Sequence, residues 1–364
     1  MLEINSVPTI GWYLVSIIVL LASIFYTAPL IMTGINARKA LVNLCMNELK
    51  DRCFSKTLHS YSPWCELKAP IEGKNTNHSQ FSYKVPKNLC ILKGNSAIRK
   101  EAFAASSILA VFDELSTYSF MLADKNARSG VSVSLSVDVL EDALADDIVH
   151  LEFYTDKVGL NLGFCSMTMK NINGEILAKG KHIKYLPGGF LLDRVGSDNV
   201  LPFFMKIYSL FGNKLIKLLR PNLIFDRVER DELSDAFNKF NITPVESVVQ
   251  TDKKTTNTSL PFIGKLKCQS FMNNILGLTH GGCILMSIEQ TSRLQQKYKQ
   301  EICKTVDDSS IKAINISYLN GVSGGEILIS LQDDPLYNNP SHSVGTIKTA
   351  SGKLCCQFEV IYNK

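Results

Sequence analysis

Apolar and polar residues follow one another along this chain in a pattern that occurs twice. Residues 104–123 (AASSILAVFDELSTYSFMLA) are apolar on nearly every side of a helical projection, which predicts a buried helix. Alternating runs follow near 130–140, 148–156, 160–170 and 175–186 and predict antiparallel strands. The order recurs further on: a helix over 281–298 (GGCILMSIEQTSRLQQKY), then strands near 310–320, 325–332, 343–349 and 353–362, with Asp-Pro and Asn-Pro turns between the second and third. A helix leading into a meander is an α+β layout, not the strand-helix alternation of a doubly wound sheet. The repetition predicts two copies of one domain.

The rest of the chain reads differently. No charged residue occurs between Glu3 and Arg38, and the apolar run 10–28 (IGWYLVSIIVLLASIFYTA) would rise about 28 Å as a helix, close to the hydrocarbon thickness of a bilayer. A cleaved signal peptide would carry positive charge ahead of its apolar core. Here Glu3 is the only early charge and the pair Arg38, Lys39 comes after, which favours a retained single-pass anchor with a cytosolic body. Residues 36–52 (NARKALVNLCMNELKDR) read as an amphipathic juxtamembrane helix, and 60–80 as polar and turn-rich. Within 190–235, Lys206, Ser209, Asn213, Lys217 and Arg220 share one face of a helix that either lies on the membrane or packs as a linker on the two domains. The expected divisions are an anchor at 1–40, a first domain with its juxtamembrane segment at 41–190, an amphipathic linker at 191–235 and a second domain at 236–364.

Composition narrows the function classes. The chain has 364 residues, 45% hydrophobic and 20% charged, enough for two ordinary cores. Its formal charge of +5 is spread out, not gathered into a basic stripe, so nucleic acid is not an expected partner. The 10 cysteines form no CxxC and no zinc-ligand spacing with the six histidines, which predicts buried reduced thiols and no metal. No GxGxxG, P-loop or HExxH occurs. Gly321-Val-Ser323-Gly-Gly325 does satisfy G-x-S-x-G, with Asp333, Asp334 and His342 downstream. A nucleophile elbow needs a helix after the turn, however, and Glu326–Leu331 (EILISL) continues as a strand.

The string Asn274–Gly282 (NILGLTHGG) opens the second long helix. First-turn amides lack intrahelical acceptors and sit at the positive end of the dipole, so a Gly-Gly opening lets an anionic oxygen approach them, as in an oxyanion hole. This Asn-x-x-Gly-x-x-His-Gly-Gly string ahead of a buried helix resembles the hotdog-fold acyl-CoA thioesterase superfamily, its small single-domain members in particular. The resemblance implies a fold in which each long central helix is wrapped by a curved antiparallel sheet, here as two tandem hotdog folds forming an intramolecular pseudo-dimer, plus one N-terminal transmembrane helix.

It also implies a site shared across the dimer interface. In the first repeat, F-D-E-L-S-T places Asp113 at the family's helix acid, G-V-S-V places Ser132 at its strand serine, and G-K-H-I-K-Y-L resembles its closing strand. At the Asn, His and Gly positions that repeat carries Ile98, Ala104 and Ala105. The second repeat has Asn274, His280, Gly281 and Gly282, but Glu289 stands for the acid and Ile311 for the serine. One complete composite site and one lost twin follow. The implied reaction is acyl-CoA hydrolysis, with Asp113 as general base or nucleophile, Ser132 orienting the water, the Gly281 and Gly282 amides holding the oxyanion, and Asn274 and His280 positioning the thioester. No metal or redox cofactor is required. The family's CoA-binding Lys-x-Gly element matches Lys157, Gly159 and Asn161, and Lys181, His182, Lys184 and Tyr185 would continue that patch.

Plainer readings stand beside these. Asp113 is otherwise an ordinary, partly exposed helix residue, with Glu114 marking a turn that reaches solvent. A non-catalytic, membrane-tethered acyl-CoA-binding scaffold is the alternative to an enzyme. The anchor implies a membrane partner, in the endoplasmic reticulum or the mitochondrion. Two chains would pair, if at all, through sheet edges or helices.

Overall fold

A computed structural model describes residues 34–49, 54–59, 66–68, 78–94, 99–188, 240–245, 261–274, 278–303, 310–322, 324–333 and 341–363, with short pieces at 197, 200–203 and 205. The expected anchor at 10–28 lies outside the described residues, as do the five polar positions of the linker helix. No helix among the described residues is long and apolar enough to cross a membrane.

Two long helices dominate: α3 (Ala105–Ala123) and α4 (Gly281–Cys303), preceded by α1 (Gly34–Leu49) and the short α2 (Ser55–His59). Around them runs a 12-stranded sheet. Its strands are β1 (Glu66–Lys68), β2 (His78–Lys84), β5 (Val131–Val139), β6 (Ile148–Val158), β7 (Leu162–Lys170), β8 (Ile176–Tyr185), β9 (Thr243–Pro244), β10 (Phe262–Cys268), β11 (Ile311–Tyr318), β12 (Gly325–Asp333), β13 (His342–Thr349) and β14 (Leu354–Tyr362). A separate hairpin joins β3 (Cys90–Lys93) to β4 (Lys100–Phe103) just before α3.

The strand order is β1-β2-β6-β7-β8-β5-β11-β14-β13-β12-β10-β9, and every neighbouring pair is antiparallel. Reading outward from the β5/β11 seam, each side gives the same succession: the first strand after the long helix, then the last, third and second, then the last strand of this sheet before the helix. At the seam Ser136 pairs with Asn315 and Leu135 with Ile316.

The helix predicted over 104–123 is α3, and all its residues except Thr117 and Ala123 are buried. Period-two alternation gives the long strands one face toward the helices: Leu151 and Phe153 on β6, Met167 and Met169 on β7, Ile327, Ile329 and Leu331 on β12. α3 and α4 pack on one another and on this inner face, and α1, in which Ala37 and Val42 are buried, packs against α3. Six strands, β1 to β4, β9 and β10, escaped the sequence reading. β2 lies partly in the stretch read as turn-rich, and its Ser79, Phe81 and Tyr83 are buried behind polar neighbours. β10 precedes α4 as β2 precedes α3. The G-x-S-x-G stretch joins two strands through Gly324 and Gly325 at φ +69° and +80°, so no helix follows that turn. Seven cysteines among the described residues are free thiols, and burial pushes Cys90 and Cys356 up to about 12.

Candidate active site at the meeting of the two long helices

Asp113 lies eight residues into α3, with Ser116 and Thr117 one turn further along the same helix face. Ser132 reaches it from β5, at an irregularity in the pairing with β8 that separates Ser132 from Ser134. On β8, His182 and Lys184 alternate onto the inner face, while Tyr185 is exposed.

One direction of the hydrogen bonds satisfies Asp113, Ser132 and His182 together. Burial and the neighbouring Lys184 charge depress His182 to about 3, so its ring is neutral and carries one proton. Ser132 Oγ donates to Asp113 Oδ1 at 2.7 Å, because a carboxylate only accepts. His182 Nε2, 3.0 Å from Ser132 Oγ, must therefore be its donor nitrogen. The bare Nδ1 then accepts from Ser116 Oγ at 2.6 Å, a shorter contact than the 3.1 Å from that hydroxyl to the Asp113 carbonyl. The relay runs Ser116 to His182 to Ser132 to Asp113. The serine sits between acid and imidazole, an order opposite to that of a nucleophilic serine triad, in which the imidazole accepts the serine proton.

Burial alone would raise the Asp113 carboxyl. The charge of Lys184, with His280 and the Ser132 hydroxyl, reverses this and holds it below the usual aspartate value. Lys184, itself lowered by burial, donates to Thr117 Oγ1 and stays beside the acid.

The opening of α4 comes in from the other half of the sheet. A Cβ placed on Gly281 would stand 2.8 Å from Asp113 Oδ2 and 3.2 Å from the Tyr318 hydroxyl, so glycine is what lets the carboxylate approach this helix end. Tyr318, whose phenol burial raises well above the usual value, donates to the Gly281 carbonyl at 3.4 Å. His280 caps the helix with its ring: Gly282 N–H donates to Nδ1 at 2.9 Å. That amide is therefore occupied, and of the two expected oxyanion donors only Gly281, the first residue of α4, is not tied to this cap. Asn274 holds the preceding loop, its side-chain oxygen accepting Leu278 N–H at 3.2 Å.

Glu114 overturns the expectation that this turn of α3 reaches solvent. It is 8% exposed, accepts from the Tyr118 hydroxyl at 2.8 Å, and faces His280 Nε2 at 3.2 Å and His59 Nε2 at 3.6 Å. Phe54 stacks at a tilt on His280, its ring centroid 5.1 Å away. Nothing in the sequence pattern marked Glu114, Tyr318, Phe54 or His59. They arrive from separate elements, and only the packing of α2 and β11 on the helices gathers them.

At the other end of the helix pair the equivalent parts meet differently. Glu289 stands eight residues into α4, as Asp113 does in α3. Its Oε2 accepts Ser106 N–H at 2.8 Å, and its Oε1 lies 3.0 Å from Arg293 Nη2. α3 has Ala104 at its N-cap and no side-chain cap of its own, so Glu289 supplies one. Ile311 is buried at the start of β11, paired with Tyr362.

The proposed CoA patch divides. Lys157, Asn161 and Tyr185 are exposed at strand ends around the Gly159 hairpin, whose carbonyl accepts from Arg128. His182 and Lys184 are buried against Asp113 instead, because alternation along β8 sends them inward. No cluster of three metal-ligating side chains occurs among the described residues.

No protein-family model matches the sequence. No curated protein matches it either. Among solved structures, the chain is similar to the tesB protein of Mycobacterium avium subs paratuberculosis (11% identity, TM-score 0.47, covering 85% of this chain and 98% of that one). It is similar to the 12:0-ACP thioesterase from Umbellularia californica (12%, TM-score 0.47, 80% and 99%). A third is the acyl-CoA thioesterase II TesB2 from Mycobacterium marinum (10%, TM-score 0.47, 85% and 98%). These likenesses to thioesterases extend over most of the chain and are distant, and the architecture described above rests on its own strand pairing.

Proposed function

We propose that this chain is a thioester hydrolase that cleaves fatty acyl-CoA to fatty acid and CoA at one site composed from both halves. The two helix-and-sheet units are read as tandem hotdog domains, 41–190 and 236–364, folded as an intramolecular pseudo-dimer. The observation that carries the reading is the approach of the ionised, buried Asp113 carboxylate to the glycine opening of α4. The reading does not lean on the distant structural likenesses.

Ser132 holds Asp113 Oδ1 and leaves Oδ2 toward Gly281, where a water and a thioester carbonyl would meet. Asp113 takes the water proton as the water oxygen adds to the carbonyl carbon. The developing oxyanion is held by the Gly281 N–H at the positive end of α4. Collapse of the adduct breaks the C–S bond, and the departing CoA thiolate takes up the proton that Asp113 accepted from water. Direct attack by Asp113 on the carbonyl is the variant, and would form an anhydride before water enters. No resident metal or redox group has a part in either path. Lys157, Gly159, Asn161 and Tyr185 are read as the CoA end of the site, and residues 10–28 as a membrane anchor.

The test is steady-state hydrolysis of an acyl-CoA chain-length series by the full chain in nanodiscs. Asp113→Asn lowers kcat by roughly 10²- to 10⁴-fold, the usual weight of a general base, with KM little changed. Undiminished turnover in that variant rejects the assignment. A wild-type protein that binds acyl-CoA without turning it over is the scaffold.

A further inference from the structure

Glu114 is a buried carboxylate that the proposed hydrolysis leaves without a task. It projects from α3 beside Asp113. The groups facing it come from three elements: Tyr118 on α3, His59 on α2, and His280 at the mouth of α4. Asp113 and Lys184 are the other charges that act on His280. The ring of His280 is held at both nitrogens. Nδ1 can accept the Gly282 N–H only while it carries no proton, so the ring proton sits on Nε2 and points at Glu114 Oε2. A second proton can enter only at Nδ1, the atom that holds Gly282. Protonating the ring and letting go of the amide are therefore one event, and the carboxylate opposite Nε2 is the group that stabilises the protonated ring.

We propose that Glu114 is a positioning residue that, through His280, decides whether the Gly282 N–H is held by the protein or offered to a substrate oxygen. In the resting site His280 caps the amide. When the ring takes up a proton, Glu114 retains it as an ion pair, and the amide turns to the oxyanion beside that of Gly281. Burial disfavours the charged ring, but the bond to Glu114 and its charge outweigh burial and raise His280 above the usual histidine value. Burial likewise opposes the ionised Glu114, and its bonds to His280 and His59 hold it well below the usual glutamate value. This inference rests on the thioesterase reading only for what the freed amide binds.

The experiment is a pH titration of the full chain in nanodiscs, labelled with ¹⁵N-histidine and ¹⁵N-glycine, with His280 assigned through His280→Gln. In the wild type, Nδ1 of His280 is unprotonated at high pH, and its protonation and the shift of the Gly282 amide share one midpoint. In Glu114→Gln the midpoint falls by at least one pH unit, a tenfold loss of proton affinity. In the same variant kcat for acyl-CoA falls more than KM changes. Glu114→Asp, which keeps the charge but shortens the reach, lowers the midpoint by less, and serves alone if the glutamine variant does not fold. A Gly282 amide that ignores the His280 titration, or a midpoint unmoved in both variants, overturns the proposal. Coupled titration without any wild-type turnover leaves it standing and rejects the hydrolase reading.

Discussion

One group at the candidate site, His182, refuses in acid a proton that it would take up in solution, and this makes a measurable demand on the fold. His182 stays neutral down to about pH 3 in the folded chain, whereas an exposed histidine takes up a proton below about 6.5. As pH falls from 7 toward 4, the unfolded chain binds a proton that the folded chain refuses, so this residue makes stability fall, with a limiting slope of about 1.4 kcal/mol per pH unit. His182→Gln removes that component, and urea midpoints between pH 7 and 4 in the two proteins should differ by a flatter dependence in the variant. Identical slopes would mean that His182 is protonated in the native chain. Gly281→Ala tests the approach of the acid: its new methyl would press on Asp113 Oδ2 and the Tyr318 hydroxyl, and an overpacked contact of this kind costs about 1–3 kcal/mol. Turnover should fall further than that instability explains, because the carboxylate is displaced from the helix end. Full activity in Gly281→Ala would reject the packing described.

At the scale of elements, the long helices differ in how their ends are satisfied. α4 caps itself with His280, whereas α3 borrows Glu289 from its neighbour. Removing that carboxylate in Glu289→Ala leaves a buried amide unpaired and Arg293 without its partner. Stability should drop by about 2–4 kcal/mol in a denaturant titration, while kcat at the Asp113 end is unchanged. A parallel loss of turnover would place Glu289 in the chemistry. Much of the element layer was legible in the sequence: both long helices and the eight strands after them follow from 3.6- and 2-residue periods. His280 and Gly281 stand in a short string that draws the eye, whereas Asp113 and Ser132 were singled out only by laying the family resemblance on the first repeat. The inward turn of His182 and Lys184 was legible too, since even-numbered positions on one strand share a face, but grouping them with exposed Tyr185 hid it. Glu114 was not legible. A charged residue next to another charged residue on a helix normally signals solvent, and only the packing of α2 and the α4 opening from far along the chain removes that solvent.

For the whole molecule, the seam between β5 and β11 makes one sheet from two halves, and the helices cross-connect them at both ends. Each half contributes to the other's helix termini. Thermal unfolding of the described body should therefore proceed as one transition, and Ile316→Pro, which breaks the seam ladder where Ile316 faces Leu135, should abolish folding of both halves together. Two separated transitions in calorimetry would contradict this coupling. The sheet's two ends have a further consequence. Among the described residues it stops at one end on β1, three residues long, and at the other on β9, two residues long and ending in Pro244, which has no N–H to offer. Strands this short make poor templates for a passing chain. A continuous ladder of twelve strands would otherwise invite growth at its margins, so crowding on a surface at high density should leave these molecules discrete, without edge-to-edge polymers.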